Sequence, residues 1–252
     1  MDDISKLYEK IVNAKHFVAF TGAGISTLSG IRDFRGENGL YKDDKIDAAK
    51  IFDIEYFEKN PSFFYNAAKN FIYDLDEKNP SIVHNTLAAL EKSGRLKAVI
   101  TQNIDLLHQK AGSERVFELH GSPKYHYCIG CRAPESVLSY EEVAAILNRG
   151  ELPTCRVCKR VMKPGITFFG ENLPEQALKD SQTEAASADV MLILGTTLEV
   201  YPAAGIPLIT LEHGGEIIIV NNMKTQLDRY AVMRFVDLEE VFTELSNKIS
   251  DP

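Results

Sequence analysis

Long apolar runs are missing from this 252-residue chain. The longest, such as residues 190–194 and 217–220, fall far short of the roughly 20 residues that a membrane-spanning helix needs, so no such helix is expected. The opening residues, Met1-Asp2-Asp3-Ile4-Ser5-Lys6, place no basic stretch ahead of an apolar core. No signal peptide is expected, and a cytoplasmic location is. Positive charge is in deficit: 28 Lys and Arg stand against 36 Asp and Glu, a formal net charge of -8. A broad basic face for nucleic acid is therefore not expected. Ordinary solubility accounts for that charge, although it also suits lysine-rich partners. Cysteine is scarce. The only four, Cys128, Cys131, Cys155 and Cys158, form two Cys-x-x-Cys pairs. Without an export signal, that arrangement favours metal over disulfide.

What is present points to a packed α/β protein. The chain is 44% hydrophobic, enough for one large lobe with a smaller module inserted. Ile4, Leu7, Tyr8, Ile11 and Val12 recur at helical spacing. Compact apolar runs at 16–21, 97–101, 190–194 and 216–220 read as buried strands. Helical patterns at 82–92, 175–186 and 238–248 alternate with them. That alternation implies a parallel sheet covered on both faces. Two stretches break the rhythm: aromatic-rich residues 36–75, and residues 123–165 with all the cysteines. They read as insertions forming a small lobe. The large lobe then takes residues 1–35, 76–122 and 166–252.

Gly22-Ala23-Gly24 follows the first strand. Glycines there let backbone N–H groups approach a pyrophosphate, with a helix N-terminus behind them. Again absences decide. Thr27 stands where the dinucleotide fingerprint has its third glycine, and no acid lies between Gly39 and Lys42 to hold a ribose. The Gly-Lys-Ser/Thr ending of a phosphate loop is missing too. These gaps argue against a hydride-transferring dehydrogenase and a nucleotidase.

Other motifs sit where strands should end, the edge at which open α/β sheets bind ligands. Thr101-Gln102-Asn103-Ile104-Asp105 crowds polar groups there; they suit a pocket, although Asp105 also suits a helix N-cap. His120, in Glu118-Leu119-His120-Gly121, is either a structural histidine or a proton-transfer group working near neutral pH. Gly195-Thr196-Thr197 and Asn221-Asn222 follow two further strands, and Phe168-Phe169-Gly170-Glu171 lies at the return from the cysteine module. Between Gly30 and Gly36, Phe34 sits among Arg32, Asp33 and Arg35, an exposed loop or a hinged flap. The two Cys-x-x-Cys knuckles would present four thiolates to one tetrahedral ion. With no position left for water, that zinc would be structural.

Taken in order, these motifs, with Tyr201-Pro202-Ala203-Ala204, resemble the sirtuins from about residue 15 to about residue 225. The resemblance implies a Rossmann-like lobe, a zinc lobe, and a cleft for NAD and an acyl-lysine peptide. It implies that Gly22, Ala23, Gly24, Thr27, Asp33, Phe34 and Arg35 line the cofactor. Gln102, Asn103, Ile104 and Asp105 would hold the nicotinamide ribose and carboxamide. Gly195, Thr196, Thr197, Asn221 and Asn222 would meet the adenosine half. Phe169, Gly170, Glu171, Leu198, Val200 and Tyr201 would hold the peptide by strand addition. Asn103 and His120 would be catalytic, with His120 as general base. The implied reaction removes an acyl group from lysine through an alkylamidate, giving nicotinamide and O-acyl-ADP-ribose.

Two details are particular to this chain. Arg32 stands where sirtuins usually have proline, so the flap lacks that stiffening. Sirtuins that favour acidic acyl chains carry a Tyr-x-x-Arg pair on a small-lobe helix. After Asn60-Pro61-Ser62, the matching pair is Ala68 and Phe71, or Tyr65 and Ala68 in the other register; Lys69 fits only with a further slip. Uncharged acyl groups are therefore expected. The rival readings are a sirtuin-like ADP-ribosyltransferase and a non-catalytic NAD-binding regulator. The presence of both Asn103 and His120 favours deacylation.

Overall fold

The computed structural model describes residues 2–33, 39, 47–69, 71–131 and 133–250. Six parallel strands form the main sheet: β1 (Phe17–Thr21), β2 (Leu96–Thr101), β3 (Val116–Glu118), β7 (Val190–Leu194), β8 (Glu216–Val220) and β9 (Met233–Phe235). Their order is β3-β2-β1-β7-β8-β9. From β1 the chain builds outward one way through β2 and β3, and from β7 the other way. The switch point falls between β1 and β7, where an open sheet of this kind leaves a crevice beyond its carboxyl ends.

Along β1 the side chains alternate between two cores. Phe17 and Ala19 pack with α1 (Asp3–Asn13), α6 (Ile82–Lys92) and α11 (Leu238–Ser250) through Leu7, Leu87 and Phe242. Val18 and Phe20 pack on the other face with Ala185 of α9 (Glu175–Ser187) and Ile206 of α10 (Ile206–Glu212). A strand buried on both faces has no polar side to show, which is why these strands read as unbroken apolar runs.

The short α2 (Gly24–Thr27) and α7 (Leu107–Lys110) follow β1 and β2. A third core lies apart from the main sheet. It joins α3 (Ala48–Ile51), α4 (Ile54–Lys59) and α5 (Pro61–Ala68) to a small antiparallel sheet of β4 (Gly121–Cys128), β5 (Leu138–Ser139) and β6 (Met162–Ile166), with α8 (Tyr140–Asn148). Edge-to-face rings hold it. Phe168 meets Phe57 with centroids 5.5 Å apart at 85° and Phe52 at 5.8 Å and 88°, geometries that favour the ring quadrupoles.

The expected elements match closely: α6, β7 and β8 keep their limits, while β1 starts one residue later and β2 one earlier. Among the described residues no helix is long and apolar enough to cross a membrane.

Candidate active site

At the switch point two turns touch backbone to backbone. The Gly22 N–H donates to the Leu194 carbonyl at 2.9 Å, and the Gly24 N–H to the Gly195 carbonyl at 2.8 Å. Gly195 has φ +61, and a Cβ there would stand 2.6 Å from the Ile25 nitrogen. One on Gly24 would stand 2.7 Å from the Gly195 Cα. Only glycine permits this approach.

Beside these turns opens a cleft of about 300 Å³. It gathers Gly22, Ala23, Gly24, Asp33, Gln102, Asn103, Ile104, His120, Phe169, Gly170, Glu171, Gly195, Thr196, Thr197, Val200, Tyr201, Asn221 and Asn222 on one wall system. Three other anticipated residues stand behind it. The Thr27 hydroxyl donates to the Gly24 carbonyl at 2.8 Å and fastens the first turn. The buried Asp105 accepts from the Ser26 hydroxyl at 2.6 Å and from the Leu107 N–H at 2.9 Å; burial pushes its carboxyl above the usual range. Leu198 is buried in the left-handed region at φ +56. Its N–H donates to the Thr196 hydroxyl at 3.2 Å, and its carbonyl accepts from Gln226 at 2.8 Å. Phe34 and Arg35 lie outside the described residues.

His120 is fixed in one tautomer. Its Nδ1 lies 2.8 Å from the Gln102 carbonyl oxygen. That oxygen only accepts, so Nδ1 carries the proton and Nε2 the free lone pair. Burial lowers the pKa of the ring, which keeps it neutral and able to accept a proton. Asn103 is nearly buried, and its Nδ2 donates to the Gly22 carbonyl at 3.2 Å and to Ser26 at 3.1 Å. The first turn thus holds the Thr101-Gln102-Asn103 segment in place.

Sequence reasoning did not single out Phe52, Ile166, Thr167, Leu173 or Met223, all of which line the cleft. Phe52 belongs to the aromatic stretch, but no local pattern says which ring faces a ligand. No lysine or arginine stands among the described lining residues, which include Asp33, Glu171 and Glu199. Glu171 is itself paired: it takes the Lys163 ammonium at 2.8 Å and the Phe168 N–H at 2.8 Å.

The four cysteine sulfurs lie within 4.8 Å of one another. Cys128 and Cys158 approach to 3.3 Å, and Cys131 and Cys155 to 3.5 Å. A tetrahedron with Zn–S bonds of about 2.3 Å has edges of about 3.8 Å, so one zinc fits. N–H groups of Gly130 and Cys131 aim at the Cys128 sulfur, and those of Val157 and Cys158 at the Cys155 sulfur, at 3.3 to 3.4 Å. Such donors suit thiolates.

Fold and site together define a dinucleotide-type α/β protein with a four-cysteine module suited to zinc. The pattern of the Sir2 family matches residues 22–202. An NAD-dependent protein deacetylase of Thermotoga maritima is 45% identical over 218 residues, covering 86% of each chain. NAD-dependent protein deacylase 2 of Archaeoglobus fulgidus is 42% identical, covering 90% of this chain and 88% of its own. A Sir2 variant solved with a deacetylated p53 peptide and 3'-O-acetyl-ADP-ribose superposes with a TM-score of 0.91 at 40% identity over 98% of both chains. Sir2Tm bound to a propionylated peptide superposes at 0.88, with 37% identity over the whole of both. This chain belongs to the Sir2 family, the NAD-dependent protein deacetylases and deacylases.

Proposed function

We propose that this Sir2 protein removes acetyl and other uncharged acyl groups from protein lysines, consuming one NAD per acyl group and releasing nicotinamide and O-acyl-ADP-ribose. The observation that carries the reading is His120. Its tautomer leaves Nε2 unprotonated, in the same cleft as Asn103 and the paired glycine turns.

NAD supplies the electrophile, a ribose carbon that loses nicotinamide to the acyl oxygen of the modified lysine. The chain supplies the rest. Backbone N–H groups of the turns around Gly22 and Gly195 would face the pyrophosphate, for which no described cation lines the cleft. Asn103 and Asp105 would position the nicotinamide ribose and the leaving carboxamide, where geometry governs rate. Thr196, Thr197, Asn221 and Asn222 would meet the adenosine half. His120 Nε2 would accept the proton of a ribose hydroxyl as that oxygen attacks the acyl carbon, and water then completes release of the lysine. The peptide would lie extended between Phe169-Gly170-Glu171 and the segment at Val200 and Tyr201, its backbone pairing with both. Four thiolates leave zinc no open position, so its part is to hold the small sheet together. The enzyme would work in the cytoplasm.

The test is mass spectrometry of products from labelled NAD and an acetyl-lysine peptide. Label in O-acetyl-ADP-ribose supports the reading. Label on protein would turn it to ADP-ribosyl transfer, and no NAD turnover on several acyl peptides to a regulatory role.

A further inference from the structure

Beneath the cleft lies a buried line of polar groups that the reaction itself does not use. Thr21 and Thr101 end β1 and β2 and are partners in register. Both are buried, and the Thr21 hydroxyl donates to the Thr101 hydroxyl at 2.8 Å. Thr101 Oγ1 also accepts the Asn103 N–H at 3.0 Å. A hydroxyl oxygen has two lone pairs, and Thr101 uses both: one for Thr21 and one for the backbone of Asn103.

Since Thr21 gives its only proton to Thr101, it must accept from its other neighbour. That neighbour is His108 Nε2, 2.9 Å away. His108 therefore carries its proton on Nε2, and its Nδ1 is a bare lone pair. His108 rides on α7, whose first residue, Leu107, is tied by its N–H to Asp105. The ring of His84 lies 4.7 Å from that of His108, centroid to centroid. His84 Nδ1 accepts the Ser81 N–H at 3.2 Å, so its proton is on Nε2. Among the described residues His84 Nε2 and His108 Nδ1 have no hydrogen-bond partner, and both residues are buried.

Buried polar atoms are nearly always paired. Two imidazoles with unpaired nitrogens are a poor way to fill a core that leucine or methionine would fill without penalty. What an apolar residue could not do is donate to Thr21. We propose that His108 is a positioning residue for Asn103: its Nε2–H orients the Thr21 hydroxyl, which orients Thr101, which fixes the backbone of Asn103 at the cleft. This rests on the deacylase reading above, in which the placement of Asn103 sets the rate.

The test uses the full-length enzyme and three variants. His108→Met matches the size and lacks the donor. Thr21→Val keeps the shape and lacks the hydroxyl. His108→Gln keeps an N–H that can reach Thr21. Both donor-chain losses should lower kcat roughly 10- to 100-fold, the range a displacement of about an ångström produces, with the KM for the acyl peptide nearly unchanged. Hydrogen exchange at the Asn103 amide should speed up in both, and His108→Gln should recover most of both effects. If His108→Met does not fold, Thr21→Val decides. Wild-type kcat and wild-type Asn103 exchange in a folded donor-loss variant would overturn the proposal. So would a loss of activity that follows thermal stability alone and is not rescued by glutamine. Should the wild type show no deacylation, the functional reading fails, while Asn103 exchange still tests the hydrogen-bond chain.

Discussion

Exchanging acetyl-lysine for succinyl-lysine on one peptide is the sharpest probe of this cleft. The apolar part of its lining includes Phe52, Ile104, Ile166 and Phe168, and no lysine or arginine stands among the described lining residues. The helix positions where an arginine could wait are otherwise occupied. Tyr65 is buried and donates to the Met162 carbonyl at 2.6 Å, and Ala68 is fully buried. Phe71 packs on Phe52 at 6.1 Å. Lys69 is exposed at the end of α5, so the slipped register brings no charge inward. Lys163 holds its ammonium 4.1 Å from the Phe168 ring centroid but does not line the cleft. It is committed to Glu171 and to the Ile166 carbonyl at 2.6 Å. A succinyl carboxylate would lose its water and gain no cation among the described lining residues, while Asp33 and Glu171 line the same cleft. Burying an unpaired charge costs several kcal/mol. Even ~3 kcal/mol lowers kcat/KM by roughly 100-fold. The assay compares kcat/KM for acetyl-, butyryl- and succinyl-lysine in the same peptide. Succinyl equal to acetyl would refute the reasoning and point to Lys163 as a cation that swings free of Glu171.

His120→Ala should abolish deacylation while NAD binding by calorimetry survives; near wild-type turnover would remove His120 from the chemistry. Because burial lowers the pKa of His120 and only the neutral ring accepts a proton, the acid limb of kcat/KM should lie below the ordinary histidine value of about 6.5. Cys155→Ala should lower both zinc content, by elemental mass spectrometry, and solubility; a zinc-free, well-folded, fully active protein would count against a structural metal. Burial holds His84 down at about 4 in the folded state. Above pH 6.5 it is neutral folded or unfolded and adds no pH dependence. As pH falls from 6.5 towards 4, only the unfolded chain takes up the proton, so up to about 3 kcal/mol of stability is lost. Urea titrations at pH 7 and pH 4.5 should show that loss in the wild type and less of it in His84→Leu.

The central strands were legible because burial on both faces leaves an apolar run with nothing to interrupt it. β3 and β9 are three-residue, half-buried edges, too short to carry a pattern. β4 and β6 contain Pro123 and Pro164, and β4 leaves Tyr125 and Tyr127 exposed. Proline demotes a run in any sequence reading of strands. In the site, the polar motifs declared themselves because glycine, asparagine and histidine at strand ends have few structural uses in such density. What stayed hidden depends on contacts between distant segments. Nothing near Asp105 announces that Ser26 will cover it, and nothing near Leu198 announces a left-handed turn that draws its side chain inward. The Lys163–Glu171 pair is likewise invisible before folding, although its members are only eight residues apart.

Strand β4 begins at Gly121, one residue after His120, and ends at Cys128 of the four-cysteine cluster. Gly121 pairs with Ile166, and the Thr167 N–H returns to the His120 carbonyl at 2.8 Å. Gly121 has φ +65, and a Cβ there would run into the Gly165 carbonyl oxygen. The chain therefore leaves for the small sheet and comes back from it through one tightly pinned point. In mechanical terms that point is a pivot. Any rotation of the small sheet about it would displace most what lies farthest from the axis, and least what lies on it. His120 sits beside that point, so any such rotation would displace it least.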